Sequence, residues 1–232
     1  AFGDILGGNL VDLTLVMALA TLISKSSIPA QSKMVQQSAI FTSVIALIPM
    51  FLILDGKLSR MDGLILIFTF FIYAFWIFSK KDRFKKVYSS KQQHPIKEFS
   101  KFFKDLVKII IFLLVLLVVS QIIINFAQYF SDKLGVSISL VGLLIIGLGN
   151  CFPEAYFSIV SARRGDSHMI LGGLMGSVIS GSTLVLGIVA IIIPFKIDDF
   201  SPFLIARIFL IIALALFLIV IKTGKKITKK EA

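Results

Sequence analysis

The stretch GLGNCFPEAYFS, from Gly147 to Ser158, places a proline and a glutamate between strongly apolar runs. LVGLLII precedes it and LVLGIVAIII follows further along the chain, and both have the composition of membrane-spanning segments. An acidic side chain at the depth of a bilayer costs at least ~2.5–3.5 kcal/mol, so such residues are functional by default. We therefore expect Glu154 to have a functional role.

The whole chain has the composition of an integral membrane protein. Of its 232 residues, 57% are hydrophobic and 16% are charged, whereas soluble domains are about 45–50% apolar. The apolar runs are long and nearly continuous, as helices in a bilayer of about 30 Å require and barrel strands do not. The sequence therefore predicts an all-α polytopic membrane protein with seven spans, at residues 6–23, 35–54, 64–78, 107–130, 138–161, 169–195 and 203–221.

The net charge of +11 is concentrated beside the predicted spans. Loops rich in Lys and Arg face the cytoplasm, so topology explains this charge and nucleic acid is not an expected partner, whereas membrane lipid is. The predicted organisation has four parts, with the N-terminus outside. They are a first half with three spans (1–79), a basic cytoplasmic loop (80–106), a second half with four spans (107–221) and a basic cytoplasmic tail (222–232).

An internal repeat relates the two halves at an offset of 169 residues, which places Gly3 on Gly172 and Gly7 on Gly176. An odd number of predicted spans separates the copies, so they run in opposite directions, as in transporters with inverted repeats. The second copy follows the span that carries NCFPE, but no companion span precedes the first copy. We therefore expect the N-terminal helices of a parent chain to be missing from this sequence.

Pro153 is expected to break the helix that carries the motif. Proline has no amide hydrogen, and its ring clashes with the carbonyl of Gly149, which is thereby released from the helix. Asn150, Cys151 and Glu154 lie three or four residues apart and share one face. The broken helix would offer a carboxylate, an amide oxygen and carbonyls at one depth, and these are ligands for a hard cation such as Ca²⁺ or Na⁺.

Two intramembrane acids are candidates for holding that cation. No basic residue lies at the depth of Glu154, so a bound cation or a proton is the expected partner of its carboxylate. Asp12, in GGNLVDLTL, is the second candidate. The alternatives are that Glu154 hydrogen-bonds a neighbour on a kinked packing helix and that Asp12 reaches water at an interface. The Gly-x-x-x-Gly pairs of both copies are predicted to be close-packing surfaces.

Residues 147–188, GLGNCFPEAYFSIVSARRGDSHMILGGLMGSVISGSTLVLGI, resemble the second α-repeat of the calcium/cation antiporter superfamily. Its sodium/calcium exchangers typically carry G-T-S-x-P-E followed by G-x-x-x-G-S-N-x-x-[ND]. GDILGGNLVDLTLVMAL, residues 3–19, resembles the latter half of the first α-repeat. The resemblance implies a ten-helix inverted-repeat antiporter fold, of which this chain would hold the third to the ninth helix. It also implies exchange of Ca²⁺ by alternating access, with ions as the substrates and no cofactor.

The resemblance further implies six cation ligands, namely Gly147 through its carbonyl, Asn150, Cys151, Glu154, Ser177 and Asp12. Four positions depart from the family pattern. Asn150 and Cys151 stand where Thr and Ser are usual, Gly8 replaces a serine, and Gly181 replaces an acidic or amide residue. Because a thiol is a softer ligand than a hydroxyl, these departures leave the counter-ion open.

The first functional hypothesis is a secondary antiporter that exchanges Ca²⁺ for Na⁺ across the cell membrane, with the ions bound at the midplane carboxylates Glu154 and Asp12. A Ca²⁺/H⁺ antiporter is the alternative within the same class. A cation channel and a non-transporting membrane scaffold are alternatives from other classes. An enzyme is not expected, because the sequence has no paired nucleophile and base, no metal-ligand cluster and no nucleotide-binding loop.

Overall fold

The computed structural model describes residues 2–24, 27–79, 95–197, 201–223 and 226–229. Within these residues, seven helices are long and apolar enough to cross a membrane, which confirms the predicted polytopic α class. They are α1 (Phe2–Ile23), α2 (Lys33–Leu52), α3 (Arg60–Ser79), α4 (Pro95–Leu134), α5 (Ile138–Arg164), α6 (167–192) and α7 (Ser201–Thr223). A 3₁₀ turn, Ile53–Asp55, extends α2.

The C-terminal part of the predicted basic loop at 80–106 is helical in the structure. Residues 80–94 lie outside the described part of the chain, but α4 already begins at Pro95. The prediction placed the start of this helix where the apolar run begins, at residue 107. A helix satisfies its own backbone hydrogen bonds and so extends past the lipid-length run into polar sequence.

The chain divides into two compact units. One comprises Ala1–Ala74 and Ser139–Ala232, and the other comprises Phe75–Ile138. In the second unit, α4 carries a polar pair on its surface, where Gln121 Nε2 donates a hydrogen bond to Asn125 Oδ1 over 3.2 Å. The remaining features belong to the first unit.

The internal repeat is present in the local conformation of α1 and α6. A π-helical segment interrupts each of them, at Asp12–Val16 in α1 and at Gly181–Val185 in α6. The offset of 169 residues superimposes these two segments residue for residue. Single π turns inside α-helices are rare and often mark functional sites, so their coincidence supports a true repeat rather than chance similarity.

Two short antiparallel pairings in the described residues establish that the repeat is inverted. β1 (Ile28–Pro29), which follows α1, pairs with β4 (Lys226–Ile227), which follows α7. β2 (Lys57–Leu58), which precedes α3, pairs with β3 (Phe195–Lys196), which follows α6. Because α2 separates β1 from β2, the two pairings lie at opposite ends of the helices, and α1 and α6 therefore run in opposite directions.

Glycines bring α1 and α5 into backbone contact. A Cβ on Gly7 would lie 2.0 Å from the carbonyl oxygen of Leu143, and a Cβ on Gly147 would lie 3.0 Å from Gly7 Cα. Gly3 has a similar neighbour in the Ser139 carbonyl oxygen, at 3.0 Å from its added Cβ. This confirms the close-packing surface predicted for the first copy. In the second copy, an added Cβ on Gly172 or Gly176 meets nothing within 4 Å among the described residues, so that part of the prediction is not met there.

Candidate functional site

The helix that carries the motif is broken, as predicted. Its segment Gly147–Asn150 ends at Cys151, and a new segment, Phe152–Arg164, follows. Cys151 has φ −86° and ψ −3°, and its N–H donates to the carbonyl of Leu148 rather than to the one four residues back, over 3.2 Å. Pro153 occupies the first turn of the new segment, where a missing N–H costs little.

The break places the Cys151 thiol against two backbone carbonyls. Its Sγ lies 3.2 Å from the oxygen of Gly8 on α1 and 3.3 Å from the oxygen of Gly147 on its own helix. A Cβ on Gly8 would lie 3.7 Å from the sulfur, which is an ordinary van der Waals contact, so the thiol packs directly against Gly8. The site thus brings carbonyl oxygens from both halves of the chain to one buried side chain.

Glu154 lies in the first turn after the break and is half-buried. Its Oε1 accepts a hydrogen bond from the Ser177 hydroxyl over 3.1 Å. Its Oε2 is buried and has no hydrogen-bond partner among the described residues. One oxygen of this carboxylate is therefore held in place by α6, and the other is available to a ligand.

Asp12 is the first residue of the π-helical segment in α1, and it is 3% exposed. Its carboxylate interacts with Glu154, Cys151 and Ser177, so it belongs to the same cluster. Its Oδ1 is buried and lacks a hydrogen-bond partner in the part of the chain that the structure describes. The alternative that Asp12 reaches water at an interface does not fit this burial.

The cluster has acidic groups without basic partners. No Lys or Arg of the described residues forms a salt bridge with Asp12 or Glu154. A buried ionised carboxylate is costly unless it is paired or binds a cation. Binding of a cation or a proton would remove this cost for the two acids.

Carboxylates and the thiol do not by themselves make a closed metal cage. Across the described ranges, no group of three or more His, Cys, Asp and Glu side chains is placed to hold a metal ion. A cation bound here would need hydroxyl and carbonyl oxygens as well. Ser177 lies beside Glu154, and the carbonyls of Gly8 and Gly147 lie beside Cys151. Such a mixed oxygen set suits Ca²⁺ or Na⁺.

The structure brings together five of the six predicted ligands within its described residues, namely Asp12, Gly147, Cys151, Glu154 and Ser177. Asn150 is different, because it is the last residue before the break and is exposed. The described residues therefore do not enclose its side chain with the others.

A buried hydrogen bond next to the site was not predicted. Asn9 Nδ2 donates to Ser182 Oγ over 2.7 Å and so links the two copies of the repeat. Asn9 is a polar residue in an apolar run, which was the available signal, but its partner lies 173 residues away and only the fold brings the two together.

Comparison with known proteins identifies a common family and fold. The family model described as sodium/calcium exchanger protein matches residues 1–79 and 104–232. The inner membrane protein YrbG of Escherichia coli strain K12 is 23% identical over 205 residues, which are 87% of this chain and 62% of YrbG. The chain thus spans less than two thirds of the length of that relative.

Two solved structures share the fold. A structure of the sodium-calcium exchanger NCX_Mj, soaked with Na⁺ and Sr²⁺, superimposes with a TM-score of 0.65 at 23% identity, over 99% of this chain and 71% of that one. The H⁺/Ca²⁺ exchanger CAX superimposes with a TM-score of 0.68 at 17% identity, over 99% of this chain and 60% of that one. At these identities the similarity concerns the architecture, which is the predicted inverted-repeat exchanger fold.

Proposed function

Since this chain belongs to the sodium/calcium exchanger protein family, we propose that it is part of a secondary antiporter that exchanges Ca²⁺ for Na⁺ across the cell membrane by alternating access. The observation that carries the proposal is the pair of acids formed by buried Asp12 and half-buried Glu154, each with a buried oxygen that lacks a hydrogen-bond partner among the described residues. The exchange of one type of ion for another follows from the charge of the two carboxylates. Two carboxylates are neutralised by one Ca²⁺ or by two monovalent ions, and an empty site would leave buried charge uncompensated.

The proposed ligands have separate roles. Glu154 Oε2 and Asp12 Oδ1 would supply the charge, and the carbonyls of Gly8 and Gly147 would supply neutral oxygens. Ser177 holds Glu154 through Oε1, so that Oε2 keeps one orientation. Asn150 would act only if its exposed side chain turned toward the break.

Coupling to H⁺ is the second candidate. A specific observation favours it, because the H⁺/Ca²⁺ exchanger CAX shares the architecture with a TM-score of 0.68. A proton can neutralise each carboxylate as a monovalent cation would. The two candidates differ in which gradient drives Ca²⁺ movement.

We also propose that a further helix covers the open glycine face of α6. In the first copy, Gly3 and Gly7 pack against α5, but the equivalent Gly172 and Gly176 meet nothing within 4 Å among the described residues. The inverted repeat predicts for them a partner equivalent to α5. Such a helix would complete the cation site from the other side.

The test is ⁴⁵Ca²⁺ uptake into proteoliposomes that hold the full-length protein and are loaded with Na⁺ or with acid. The Glu154→Gln variant should lower uptake by roughly 10- to 100-fold, because it removes a charged ligand of the ion. Asp55→Asn is the matched control, since this acid is exposed and pairs only with Lys57 across 3.9 Å among the described residues.

Each gradient gives a distinct result. Uptake driven by Na⁺ supports the first candidate, and uptake driven by acid in sodium-free buffer supports the second. Ion currents that exceed transporter turnover without counter-ion dependence would identify a channel instead. Normal uptake by Glu154→Gln would exclude this carboxylate as a ligand.

A further inference from the structure

Ser158 is a buried hydroxyl that the proposed exchange site does not use. It lies in the second segment of α5 and is 1% exposed. Its Oγ has no hydrogen-bond partner among the described residues. A buried polar group without a partner is unfavourable, so this oxygen is a candidate to bind a ligand.

Other buried hydroxyls of this protein bond to their own helix. Thr21, Thr42, Ser43 and Thr183 each donate to the carbonyl four residues earlier, over distances of 2.6 to 3.0 Å. The same bond is open to Ser158 in principle, since it too lies inside a helix. Its Oγ nevertheless lacks that bond, so the hydroxyl remains open to another partner.

The position of Ser158 relates it to Glu154. The two residues are four apart on one helix, so they share a face at a separation of about 6 Å along the axis. Glu154 bonds to Ser177 of α6 and Ser158 is 1% exposed, so this face of α5 is turned toward the helix bundle. Glu154 Oε2 is also buried and without a partner in the described structure. Two unpartnered oxygens therefore lie one turn apart on one face of α5.

The surroundings of this face favour a cation over an anion. The second segment of α5 packs against Met17–Ile23 of α1 and against Ser167–Ser180 of α6. Neither of these segments contains a Lys or an Arg, and the two Arg of the α5 segment itself, Arg163 and Arg164, are exposed in its last turn. The groups at hand are a carboxylate oxygen and a hydroxyl oxygen, which are ligands of hard cations.

We propose that Glu154 Oε2 and Ser158 Oγ form an inner cation position, which the transported ion occupies between the central site at Asp12 and Glu154 and the end of α5 at Arg164. This inference rests on the proposed function for the role of Glu154. It adds a second position on one side of the membrane only, because Ser158 lies beyond Glu154 toward the C-terminal end of α5. Under the predicted topology, that end faces the cytoplasm.

The test measures ion affinity from each side of the membrane. Proteoliposomes sorted by protein orientation give the KM for Ca²⁺ at the cytoplasmic and the external face of the full-length protein. Ser158→Ala should raise the cytoplasmic KM about fivefold and leave the external KM unchanged, because one neutral oxygen ligand is lost. Ser158→Thr, which keeps the hydroxyl, should restore the wild-type value.

Ser43→Ala is the matched control. Ser43 is also buried, but its hydroxyl is already bonded to the carbonyl of Ala39, so both KM values should stay at the wild-type level. Equal KM values for Ser158→Ala and wild type, or an equal rise at both faces, would overturn the inner position.

Thermal unfolding separates a failure of this inference from a failure of the proposed function. Without ions, Ser158→Ala should unfold at a slightly higher temperature than wild type, because an unpaired buried hydroxyl is gone. With Ca²⁺ or Na⁺, its stabilisation by the ion should be smaller than that of wild type. If wild type moves no Ca²⁺, the exchange proposal fails, and this ion-dependent shift alone decides the inner position. An identical shift in both proteins would overturn it.

Discussion

At the scale of single residues, Cys151 distinguishes this site from the family pattern. The thiol is buried, and its sulfur lies within 3.3 Å of two carbonyl oxygens, those of Gly8 and Gly147. Sulfur is a soft ligand and discriminates against Ca²⁺ and Na⁺ relative to soft divalent metals. The residue at this position should therefore influence which cations the site accepts.

Replacement of Cys151 by Ser should shift the site toward hard cations. A hydroxyl at the same position is a better ligand for Ca²⁺, so we expect the KM for Ca²⁺ to fall roughly fivefold, which corresponds to about 1 kcal/mol. Inhibition of ⁴⁵Ca²⁺ uptake by Cd²⁺ should weaken at the same time. Unchanged Cd²⁺ inhibition in Cys151→Ser would show that the thiol does not contact the ion.

At the scale of helices, glycine determines how α1 meets α5. The carbonyl of Leu143 and the backbone of Gly147 occupy the space that a side chain on Gly7 would need. This contact also brings Gly8 to Cys151. The close approach at Gly7 and Gly147 therefore determines both the packing of the two helices and the geometry of the site. The symmetry-related Gly176 has no such neighbour among the described residues.

Alanine at these two glycines should have different effects on the stability of the 232-residue chain. In Gly7→Ala, the new Cβ would lie 2.0 Å from a backbone oxygen, and relief of that overlap should cost about 1–3 kcal/mol. Gly176→Ala meets nothing within 4 Å in the described structure and should be neutral or slightly stabilising, since alanine favours helix. Thermal unfolding in detergent micelles measures both. A loss of stability in Gly176→Ala as large as in Gly7→Ala would contradict this view of the packing.

At the scale of the whole molecule, the two strand pairs determine which loops share a side of the membrane. β2 pairs with β3 and β1 pairs with β4, so Lys57 lies opposite Lys196 and Pro29 lies opposite Lys226. The distribution of basic residues predicts that the first pair is external and the second cytoplasmic.

Accessibility of substituted cysteines should follow that division. In cells that express the full-length protein, Lys57→Cys and Lys196→Cys should react with a membrane-impermeant maleimide from outside. Lys33→Cys and Lys226→Cys should react only after permeabilisation. All four lysines are exposed, and the unsubstituted protein serves as control because Cys151 is buried. Labelling of the Lys57→Cys and Lys196→Cys variants from opposite sides of the membrane would contradict the β2–β3 pairing.

The sequence alone determined the number of membrane helices, the break before Pro153 and the repeat. The membrane helices are visible in the hydropathy of the sequence, because a span must be apolar over the thickness of the lipid. The break is visible because proline lacks the N–H that its own helix needs. The repeat is visible as sequence similarity at a fixed offset. The start of α4 at Pro95 escaped this reasoning, because helix formation continues beyond the apolar residues that mark a span.

Only the tertiary structure decided which of the polar residues meet. It joined Asn9 to Ser182 and Ser177 to Glu154, left Ser158 without a partner among the described residues, and exposed Asn150. These contacts depend on the distance between helices and on the rotation of each helix about its axis. Both are determined by packing between side chains that are distant in sequence. The motif could therefore identify the helix of the candidate cation site, whereas packing determined which of its oxygens remain available.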